Sequence, residues 1–520
     1  MVEENPGEPL TAILDHPDRP ALVVPEDGQI LTYGQVADRV ASLAASLAGA
    51  GVGRGDRVAL TLPNGPEMVQ LLLAITALGA AAAPLNPAYT HSEYGFYLTD
   101  IAPRVFVIPA SQPAAASSAA EECSITVLTA RARHDGPPVL LVDDKELSPA
   151  VGFEPGQPDD VGVVLHTSGT TSRPKQVPLR QRNLMASTRT IAAHYGLGPM
   201  DVSFCVMPMF HVHGLVASTF AALAGGGSVI APRRFTPQRF WRQAREHRAT
   251  WLSAGPTLHQ MILERADEGG APGTLRFARS CSSALSPALM ERAERGYGVP
   301  MLEAYGMTEA SHQMASNPPP PGRRVGGSVG VATGTEIGIA DREGRMLPEG
   351  TPGEVVIRGP GVMSGYVNNP AATAEAFFGD WFRTGDRGVL RGGYLYLEGR
   401  LKEMILRGGE NISPAEIEQA LLAHPAVKDA VCFGVADDKY GELVSAAVTL
   451  SAQADAAELI GHCGERLAAF KVPATIHVLD EIPRTATGKI QRRRVAEFVA
   501  TTGGSGGSSP RASTDRPAQP

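Results

Sequence analysis

A short apolar run leads directly into a cluster of hydroxyl residues at 161–175. Residues 161–166 (VGVVLH) are rich in β-branched side chains, which is typical of a buried strand. The chain continues as TSGTTSRPK, where small residues expose backbone N–H groups to an anion and a lysine adds charge. The spacing of a Walker loop, GxxxxGK[ST], is absent. The segment predicts a phosphate-binding loop, with a plain polar turn as the alternative.

Around this junction, strand-like and helix-like patterns alternate, which favours a layered α/β fold. Thr32 is a candidate N-cap for the first helix, and Pro66 suits the first turn of the second. The Ala- and Ser-rich stretch at 110–122 is low in complexity and predicts a loop. Helical spacing is found at 32–50, 66–78 and roughly 181–194, and a strand-like run at 57–63.

The region after Arg400 has a different character. Ser413 and Glu416 form a capping-box pattern with proline at the first helical position, and the helix continues through Leu422. Further patterns predict a small α+β unit of normal domain size. We predict an N-terminal domain at 1–400, a C-terminal domain at 401–500 and a disordered tail at 501–520. The patterns are strands near 427–435, 443–450 and 475–480 and a helix near 456–469.

Composition excludes several classes of protein. The net charge is −8 at pH 7, which argues against a general nucleic-acid or anionic-membrane binder. None of the five cysteines forms a CxxC pair, so neither a zinc site nor a disulfide framework is indicated. The N-terminus lacks the apolar core of a signal peptide, and the apolar run Leu71–Leu85 is too short to span a bilayer. We therefore expect a cytoplasmic protein with no transmembrane segment.

Several motifs occur in the order found in one known superfamily. After TSGTTSRPK the chain contains YGMTE at 305–309, RTGD at 384–387, GRLKEMILRGGENISPAEIE at 399–418 and PRTATGKIQRR at 483–493. Together they resemble the adenylate-forming superfamily of acyl-CoA synthetases, adenylation domains and luciferases over about residues 30 to 500. The resemblance implies a large domain of layered α/β subdomains with a small β-barrel part, and a mobile small α+β domain.

The same resemblance implies a two-step reaction. A carboxylate attacks the α-phosphorus of ATP, and a thiol, usually that of coenzyme A, then displaces AMP. Because an anion attacks a polyanion, cations and oriented donors must neutralise the charge that develops. The expected cofactors are ATP and Mg²⁺, with coenzyme A as co-substrate.

The resemblance also implies a role for individual residues of the nucleotide site. Glu309 would bind Mg²⁺, which prefers oxygen ligands, and Thr308 would contact the α-phosphate. Tyr305 would pack on adenine, and Asp386 and Arg400 would bind ribose; without the resemblance these last two would be a turn residue and a solvated charge. The phosphate loop would hold the β- and γ-phosphates through Thr167, Ser168, Gly169, Thr170, Thr171 and Lys175.

Four residues of the C-terminal region would serve the change between the two steps. Lys489 would bridge the carboxylate and the α-phosphate during adenylation, although by itself it would be an exposed lysine. Lys402 would be the hinge about which the small domain rotates. Gly408 and Gly409 would then let the pantetheine arm approach the backbone closely.

The acid pocket is implied by three further stretches. His211 in PMFHVHG would guard the carboxylate, with His213 as a second candidate, and a structural role is the alternative for each. Ser280, Ser282, Ser283 and His312 would lie nearby. A fatty-acid tunnel would be apolar, whereas a short dicarboxylate brings a second charge that must be paired when buried.

These stretches resemble the oxalate–CoA ligase branch, so we favour oxalate, with medium- or long-chain fatty acids as the alternative. Coenzyme A is favoured as acceptor because GEVVIRGPGVMSGYVNNP at 353–370 has no insertion and no carrier domain follows residue 500. Transfer to a separate carrier protein and a non-catalytic binder remain alternatives.

One residue departs from the family pattern. Gln176 follows Lys175 where the family usually has glycine. If φ is positive there, a glutamine costs on the order of 1 kcal/mol. The alternatives are an ordinary negative φ, or a strained loop with slower handling of ATP.

Overall fold

The structure used here is a computed structural model, and it describes most of the chain. It divides into two units, residues 1–397 and 398–520, close to the boundary that the sequence predicts between 400 and 401. Each unit has its own buried core. The structure describes residues 7–111, 113–133, 136–167, 174–408, 410–485 and 490–502.

The first unit contains most of the strands. In chain order they are β1 (Pro20–Val24), β2 (Gln29–Thr32), β3 (Arg57–Leu60), β4 (Ala81–Pro84), β5 (Val105–Pro109), β6 (Thr126–Arg131), β7 (Val139–Val142), β8 (Lys145–Glu146), β9 (Val161–Thr167), β10 (Lys175–Arg180), β11 (Val202–Phe204), β12 (Ser228–Ile230), β13 (Trp251–Ala254), β14 (Phe277–Ser280), β15 (Met301–Met307), β16 (His312–Ser316), β17 (Val331–Ala332), β18 (Glu336–Ala340), β19 (Gly353–Arg358), β20 (Phe377–Phe378), β21 (Trp381–Arg391) and β22 (Tyr394–Arg400), the last of which crosses the boundary.

The helices of this unit alternate with the strands. They are α1 (Tyr33–Gly49), α2 (Pro66–Ala77), α3 (His91–Ile101), α4 (Ala114–Glu122), α5 (Gln181–Tyr195), α6 (Ala221–Ala224), α7 (Pro237–Glu246), α8 (Pro256–Leu263), α9 (Pro287–Tyr297) and α10 (Pro370–Glu375), with 3₁₀ turns at Leu10–Leu14 and Thr308–Ala310 and a π-helix at His213–Phe220. Among the described helices, none has both the length and the apolar character needed to cross a bilayer.

Two large sheets form the framework of the first unit. One has eight strands in the order β10-β9-β4-β3-β5-β6-β7-β8, and the other has nine in the order β17-β16-β15-β14-β13-β11-β12-β1-β2. Their central pairs are parallel, and such strands are buried on both faces by helices. Helix α2 is buried over nearly its whole length and packs on α1 and on β4 and β9. This layered arrangement confirms the predicted α/β class.

A third, smaller sheet completes the first unit. It has the order β18-β19-β21-β20, with β22 paired to β21, and its described pairings from β18 to β20 are antiparallel. The resemblance implies a small β-barrel part in the N-terminal domain, without assigning it to particular residues. Strand β21 carries the RTGD motif, and β19 carries the GEVVIR segment.

The second unit is a small α+β structure, as predicted. Its sheet has the order β24-β23-β26-β25, and β27 adds to β26 in parallel. Its elements are β23 (Ile405–Arg407), β24 (Glu410–Ile412), α11 (Pro414–Leu422), β25 (Val427–Asp437), β26 (Gly441–Leu450), α12 (Ala456–Gly464), β27 (Thr475–Val478) and α13 (Arg492–Thr502), with a 3₁₀ turn at Leu401–Glu403. Because α13 continues to Thr502, only residues 503–520 of the predicted tail lie outside the described residues.

Two local predictions were wrong. The stretch predicted as a loop at 110–122 contains helix α4, because its alanines have high helix propensity and Ala116, Ala119 and Ala120 bury one face. The predicted capping box at Ser413 is not formed, since its hydroxyl donates to the carbonyl oxygen of Glu398 and accepts no hydrogen bond from the N–H groups of the first helical turn. By contrast, Thr32 makes the predicted N-cap, as one half of a capping box with Gln35.

All five cysteines are free. Four of them are buried, and Cys123 at the end of α4 is partly exposed. Its sulfur lies 3.9 Å from the carbonyl oxygen of Gly95 and 3.7 Å from Oγ1 of Thr99, so it rests against helix α3.

Candidate active site

The predicted phosphate loop is framed by two paired strands. Thr167 ends β9, Lys175 begins β10, and the two residues face each other in the antiparallel ladder. Ser168, Gly169, Thr170 and Thr171 lie outside the described residues. The structure therefore gives the two ends of the loop and the frame that holds them.

Lys175 and Glu309 lie on either side of a tyrosine that sequence reasoning missed. The Lys175 Nζ is 4.6 Å from the centroid of the Tyr366 ring, in cation–π contact. The Tyr366 hydroxyl donates a hydrogen bond to Glu309 Oε1 at 3.2 Å. Thr308, which begins the 3₁₀ turn, immediately precedes Glu309. Tyr366 therefore joins the predicted phosphate-binding lysine to the predicted metal-binding carboxylate.

Glu309 has the chemistry that a magnesium ion requires. It is a carboxylate with 7% of its surface exposed. Mg²⁺ is often bound by one or two carboxylates, with phosphate and water oxygens completing an octahedron. Within the described part of the chain, no group of three His, Cys, Asp or Glu residues could hold a metal ion. A single buried carboxylate fits an ion that arrives with a nucleotide.

Tyr305 and Asp386 come together from two different sheets. Tyr305 lies in β15 and Asp386 in β21, and the Tyr305 hydroxyl donates a hydrogen bond to Asp386 Oδ2. Both side chains are buried, and the Asp386 N–H also donates to Thr384 Oγ1 at 3.1 Å. The residue predicted to pack on adenine and the residue predicted to bind ribose are thus in direct contact. This contact joins the YGMTE motif to the RTGD motif.

The predicted acid-pocket residues His213, Ser282 and His312 form one connected cluster. His213 Nδ1 lies 2.9 Å from Ser282 Oγ, and its Nε2 lies 2.7 Å from Ser253 Oγ. The His213 and His312 ring centroids are 5.0 Å apart. We call this group, together with Arg279, the histidine cluster. Both imidazoles are buried, whereas Ser282 is exposed and marks its outer end.

Arg279 is the member of the cluster that sequence reasoning missed. Its side chain has 0% of its surface exposed, and it lies in β14 directly before Ser280. Its guanidinium donates to Tyr195 Oη and Ser253 Oγ at 2.7 Å each and to Gln313 Oε1 at 3.0 Å. Among the described residues, no carboxylate forms an ion pair with it. A buried charge held only by neutral groups is unusual, because burying a charge is costly unless it is paired.

The protonation states of the two histidines follow from their burial and, to a smaller extent, from this charged neighbour. Burial, followed by the positive charge of Arg279, holds the pKa of His312 well below its usual value. Burial also lowers the pKa of His213, with the His312 and Arg279 charges adding to the effect. An arginine only donates, so His312 Nδ1 at 3.4 Å from Arg279 Nη2 is an acceptor. The cluster therefore combines one fixed positive charge with two neutral imidazoles.

Backbone strain and an unpaired hydroxyl mark the same region. Ser282 has φ of 78° and His312 has φ of 120°, conformations that non-glycine residues rarely adopt. Such strain is concentrated at functional sites. Among the residues that the structure describes, the buried Ser280 hydroxyl has no hydrogen-bond partner, whereas Ser283 is exposed. The serines of RSCSSAL thus occupy three different environments, and only Ser282 bonds to the cluster.

His211 is separate from the hydrogen bonds of the cluster. Its ring lies 4.6 Å from the Phe210 ring, and burial lowers its pKa to about 4. His213 begins the π-helix two residues later, and π-helical turns are frequent at functional sites. His211 is therefore a neutral side chain at pH 7 and can contribute packing or a hydrogen bond, but not a charge.

The structure resolves the alternatives left open for Gln176. The residue lies within β10, opposite His166, and it is not among the described residues with positive φ. Its side chain is 7% exposed and donates to Asp100. The backbone therefore has ordinary strand geometry, and the predicted cost of a strained loop does not arise at this position.

Three of the predicted C-terminal residues lie on the strand that crosses the boundary or on the first elements of the second unit. Arg400 ends β22, Lys402 is exposed in the 3₁₀ turn, and Gly408 has φ of 59° in the turn between β23 and β24. A positive φ of this kind favours glycine. Gly409 and Lys489 lie outside the described residues.

Comparison with known proteins gives matches along most of the chain. The family described as AMP-binding enzyme matches residues 11–367, and the AMP-binding enzyme C-terminal domain matches residues 416–489. An oxalate–CoA ligase from Arabidopsis thaliana is 44% identical over 92% of this chain and 96% of its own length. A sulfoacetate–CoA ligase from Cupriavidus necator is 38% identical over 92% of this chain and 94% of its own. The crystal structure of ATP-bound MatB from Rhodopseudomonas palustris superposes with a TM-score of 0.85 at 31% identity, covering 94% of this chain and 98% of that one.

Proposed function

This chain belongs to the AMP-binding enzymes and is an AMP-forming acid–CoA ligase, and from that premise we propose that its acid is oxalate. The reaction would adenylate one carboxylate of oxalate at the expense of ATP and then form a thioester with coenzyme A. The observation that carries the choice of acid is the buried charge of Arg279.

Arg279 supports a small dianionic acid on electrostatic grounds. Within the described part of the chain, this buried guanidinium is hydrogen-bonded to hydroxyls and an amide, lies beside two neutral imidazoles, and forms no ion pair with a carboxylate. A carboxylate bound at the exposed end of the cluster, near Ser282, would bring a negative charge toward this guanidinium. Ser282 is joined to the cluster by the hydrogen bond of 2.9 Å between its hydroxyl and His213 Nδ1. A fatty acid would instead place an apolar chain beside polar groups, at the cost of their hydration.

The relatives support the same choice. The two acids named for them, oxalate and sulfoacetate, each carry a second anionic group beside the carboxylate that is activated. A histidine cluster with one fixed positive charge suits this class of acid. We propose His213, Ser282 and His312 as contacts of the second anionic group, with Ser280 and Ser283 at the edge of the pocket and His211 beside the reacting carboxylate.

For the nucleotide, we propose the roles that the motifs imply. Lys175 and Thr167, with the loop between them, would bind the β- and γ-phosphates of ATP, and Thr308 would contact the α-phosphate. Glu309 would hold Mg²⁺, which neutralises phosphate charge when bound. Tyr305 and Asp386, already in contact, would orient adenine and ribose.

For the residues of the second unit, we propose the roles that the sequence motifs imply. Lys489 would neutralise charge between the acid and the α-phosphate, and Arg400 would contact ribose. Lys402 would be the hinge between the two half-reactions, after which Gly408 and Gly409 would face the pantetheine arm of coenzyme A. The domain bounds and the cytoplasmic location stay predictions.

Release of AMP across a panel of acids tests the proposal. The purified chain is given MgATP, coenzyme A and oxalate, sulfoacetate, acetate, hexanoate or palmitate, and thioesters are identified by mass spectrometry. We expect kcat/KM for oxalate to exceed that for acetate by about a hundredfold, because a site built for polar groups rejects an acid that lacks them.

Two other results would contradict the proposal in different ways. A preference for hexanoate or palmitate would assign the chain to the fatty acid–CoA ligases. Pyrophosphate exchange that depends on oxalate, without any coenzyme A thioester, would indicate transfer to a carrier protein instead.

A further inference from the structure

The two strands that frame the phosphate loop have two different faces. In the antiparallel ladder of β9 and β10, Thr167 lies opposite Lys175, and His166 lies opposite Gln176. Residues directly opposite each other project to the same face, and successive residues project to opposite faces. Thr167 and Lys175 therefore share one face of the hairpin, and His166 and Gln176 share the reverse face.

The face that carries Lys175 is connected through Tyr366 to Glu309, the candidate magnesium ligand. Lys175 contacts the Tyr366 ring, and the Tyr366 hydroxyl donates to Glu309. The backbone also connects these groups, because the carbonyl oxygen of Gln176 accepts a hydrogen bond from the N–H of Val367 at 3.1 Å. A shift of the hairpin would therefore be transmitted to Tyr366.

The reverse face is hydrogen-bonded to Asp100 of helix α3. Asp100 Oδ2 lies 2.8 Å from His166 Nε2 and 2.7 Å from Gln176 Nε2. Gln176 Nε2 also donates to the carbonyl oxygen of Asp100 at 2.7 Å. His166, which precedes Thr167, and Gln176, which follows Lys175, are thus hydrogen-bonded to the same carboxylate.

The orientation of the Gln176 amide is fixed by its partners. Both hydrogens of its nitrogen point to oxygens of Asp100, and its oxygen accepts from Arg57 Nη1 at 3.3 Å. Reversing the amide would place its oxygen against two other oxygens. Arg57 also donates to the carbonyl oxygen of Ile101, next to Asp100. A glycine at position 176 would lack the contacts with Asp100 and Arg57 that the glutamine side chain makes.

His166 completes the attachment. Its side chain is largely buried, and the edge-to-face contact with Tyr97 of α3 has a centroid distance of 4.7 Å. Burial lowers the pKa of the imidazole, although Asp100 opposes this effect. A neutral His166 donates to Asp100 only through an Nε2 proton, which defines its tautomer.

From these contacts we infer that Asp100 and Gln176 are positioning residues for the nucleotide. They hold the ends of the phosphate loop from the reverse face, so that Lys175 and Thr167 are presented to the phosphates of ATP. The inference rests on the proposed function for ATP as the ligand. It assigns to Gln176 a role that glycine cannot perform.

Equilibrium binding of MgATP to the full chain, measured by calorimetry without acid, tests the inference. Asp100→Ala removes the acceptor shared by His166 and Gln176, and we expect Kd to rise about tenfold, as for loss of a hydrogen bond to a charged group. Asp100→Asn keeps an acceptor oxygen and should stay within about threefold of wild type. Gln176→Gly should raise Kd by about threefold or more, and it replaces Asp100→Ala if that variant does not fold.

The matched control is Asp160→Ala. Asp160 lies at the opposite end of β9 and accepts from Arg54 at 2.6 and 2.8 Å, so its loss removes a comparable contact away from the loop. We expect it to leave Kd for MgATP unchanged. Thioester formation from supplied oxalyl-adenylate should be equal in wild type and Asp100→Ala, because that step needs no β- or γ-phosphate.

The results separate this inference from the proposed function. A wild-type chain that binds no MgATP would overturn both. Wild-type binding with an equal Kd in Asp100→Ala and Gln176→Gly would overturn the inference alone. So would an equal loss of both half-reactions in Asp100→Ala, which would indicate a general folding defect.

Discussion

Arg279 illustrates what a sequence can and cannot reveal about a single residue. The neighbouring serines could be identified because they belong to a recognisable stretch. The arginine could not, because nothing in the local pattern shows which of 46 Lys and Arg residues is buried. Its burial depends on Tyr195, Ser253 and Gln313, which approach it from other elements of the fold. The same holds for Asp100 and Gln176, which are 76 positions apart.

Replacement of Arg279 by Met tests its part in the choice of acid. Methionine keeps much of the volume and removes the charge, at the cost of the hydrogen bonds to Tyr195, Ser253 and Gln313. We expect KM for oxalate to rise at least about tenfold, with little change for hexanoate. Only the dianionic oxalate has a second carboxylate that loses the attraction of the positive charge. Initial rates of AMP release with both acids give the comparison.

The control for that experiment is Arg276→Met. Arg276 precedes β14, is partly exposed and forms an ion pair with Asp201. Its replacement should leave the ratio of oxalate to hexanoate activity unchanged. An equal fall for the two acids in Arg279→Met would show that the arginine supports the fold without selecting the acid.

Among the elements, the helices were predicted best where periodicity and capping agree. Helix α1 has both its apolar stripe and its Thr32 cap. Helix α4 was missed because alanine and serine carry little hydrophobic contrast, so its pattern resembles a loop. The π-helix at His213–Phe220 could not be predicted, since no periodicity distinguishes it from an α-helix.

Gly214 provides a test at the level of this element. A Cβ at that position would lie 2.3 Å from the carbonyl oxygen of Pro208 and 2.7 Å from that of Met207, so the start of the π-helix must move. We expect Gly214→Ala to lower the free energy of unfolding by about 3 kcal/mol, as overpacking does, and to weaken oxalate use by displacing His213. Urea denaturation and AMP release measure the two effects.

Gly95→Ala is the matched substitution. Gly95 lies in helix α3, and a Cβ there would have no neighbour within 4 Å. Its replacement should raise the free energy of unfolding by about 0.5–1 kcal/mol. If both variants behave alike, the close approach at Gly214 does not constrain the helix.

For the whole molecule, the class of fold and the presence of a small C-terminal unit were predicted correctly, because the motifs and the alternation of patterns span nearly the entire chain. The strand orders were not predicted. They depend on pairings such as β11 with β12 and β13, or β26 with β27, whose registers the linear sequence does not specify. Of the predicted site, the structure brings together Tyr305 with Asp386 and His213 with Ser282.

The stability of the first unit should depend on pH through His259. This side chain is fully buried between Tyr297 and the carbonyl oxygen of Arg279, and burial lowers its pKa to about 4. The folded state then binds fewer protons than the unfolded state below about pH 6.5, so stability falls as the pH falls. We expect about 2 kcal/mol of this loss between pH 7 and pH 5 to come from His259.

Comparison of wild type with His259→Gln checks this expectation. The variant lacks the titrating group, so its loss of stability between pH 7 and pH 5 should be smaller by about 2 kcal/mol. All three tryptophans lie in the first unit, so urea denaturation followed by tryptophan fluorescence reports on that unit. Identical pH slopes in the two proteins would contradict the expectation.

The arrangement of the cysteines has a practical consequence for spectroscopy. Four thiols are buried, so a maleimide dye would react selectively with Cys123. That sulfur rests on Gly95 and Thr99 of helix α3, one residue from Asp100. A single fluorophore on the unmodified chain would therefore report on the helix that holds the phosphate loop, without any engineered cysteine.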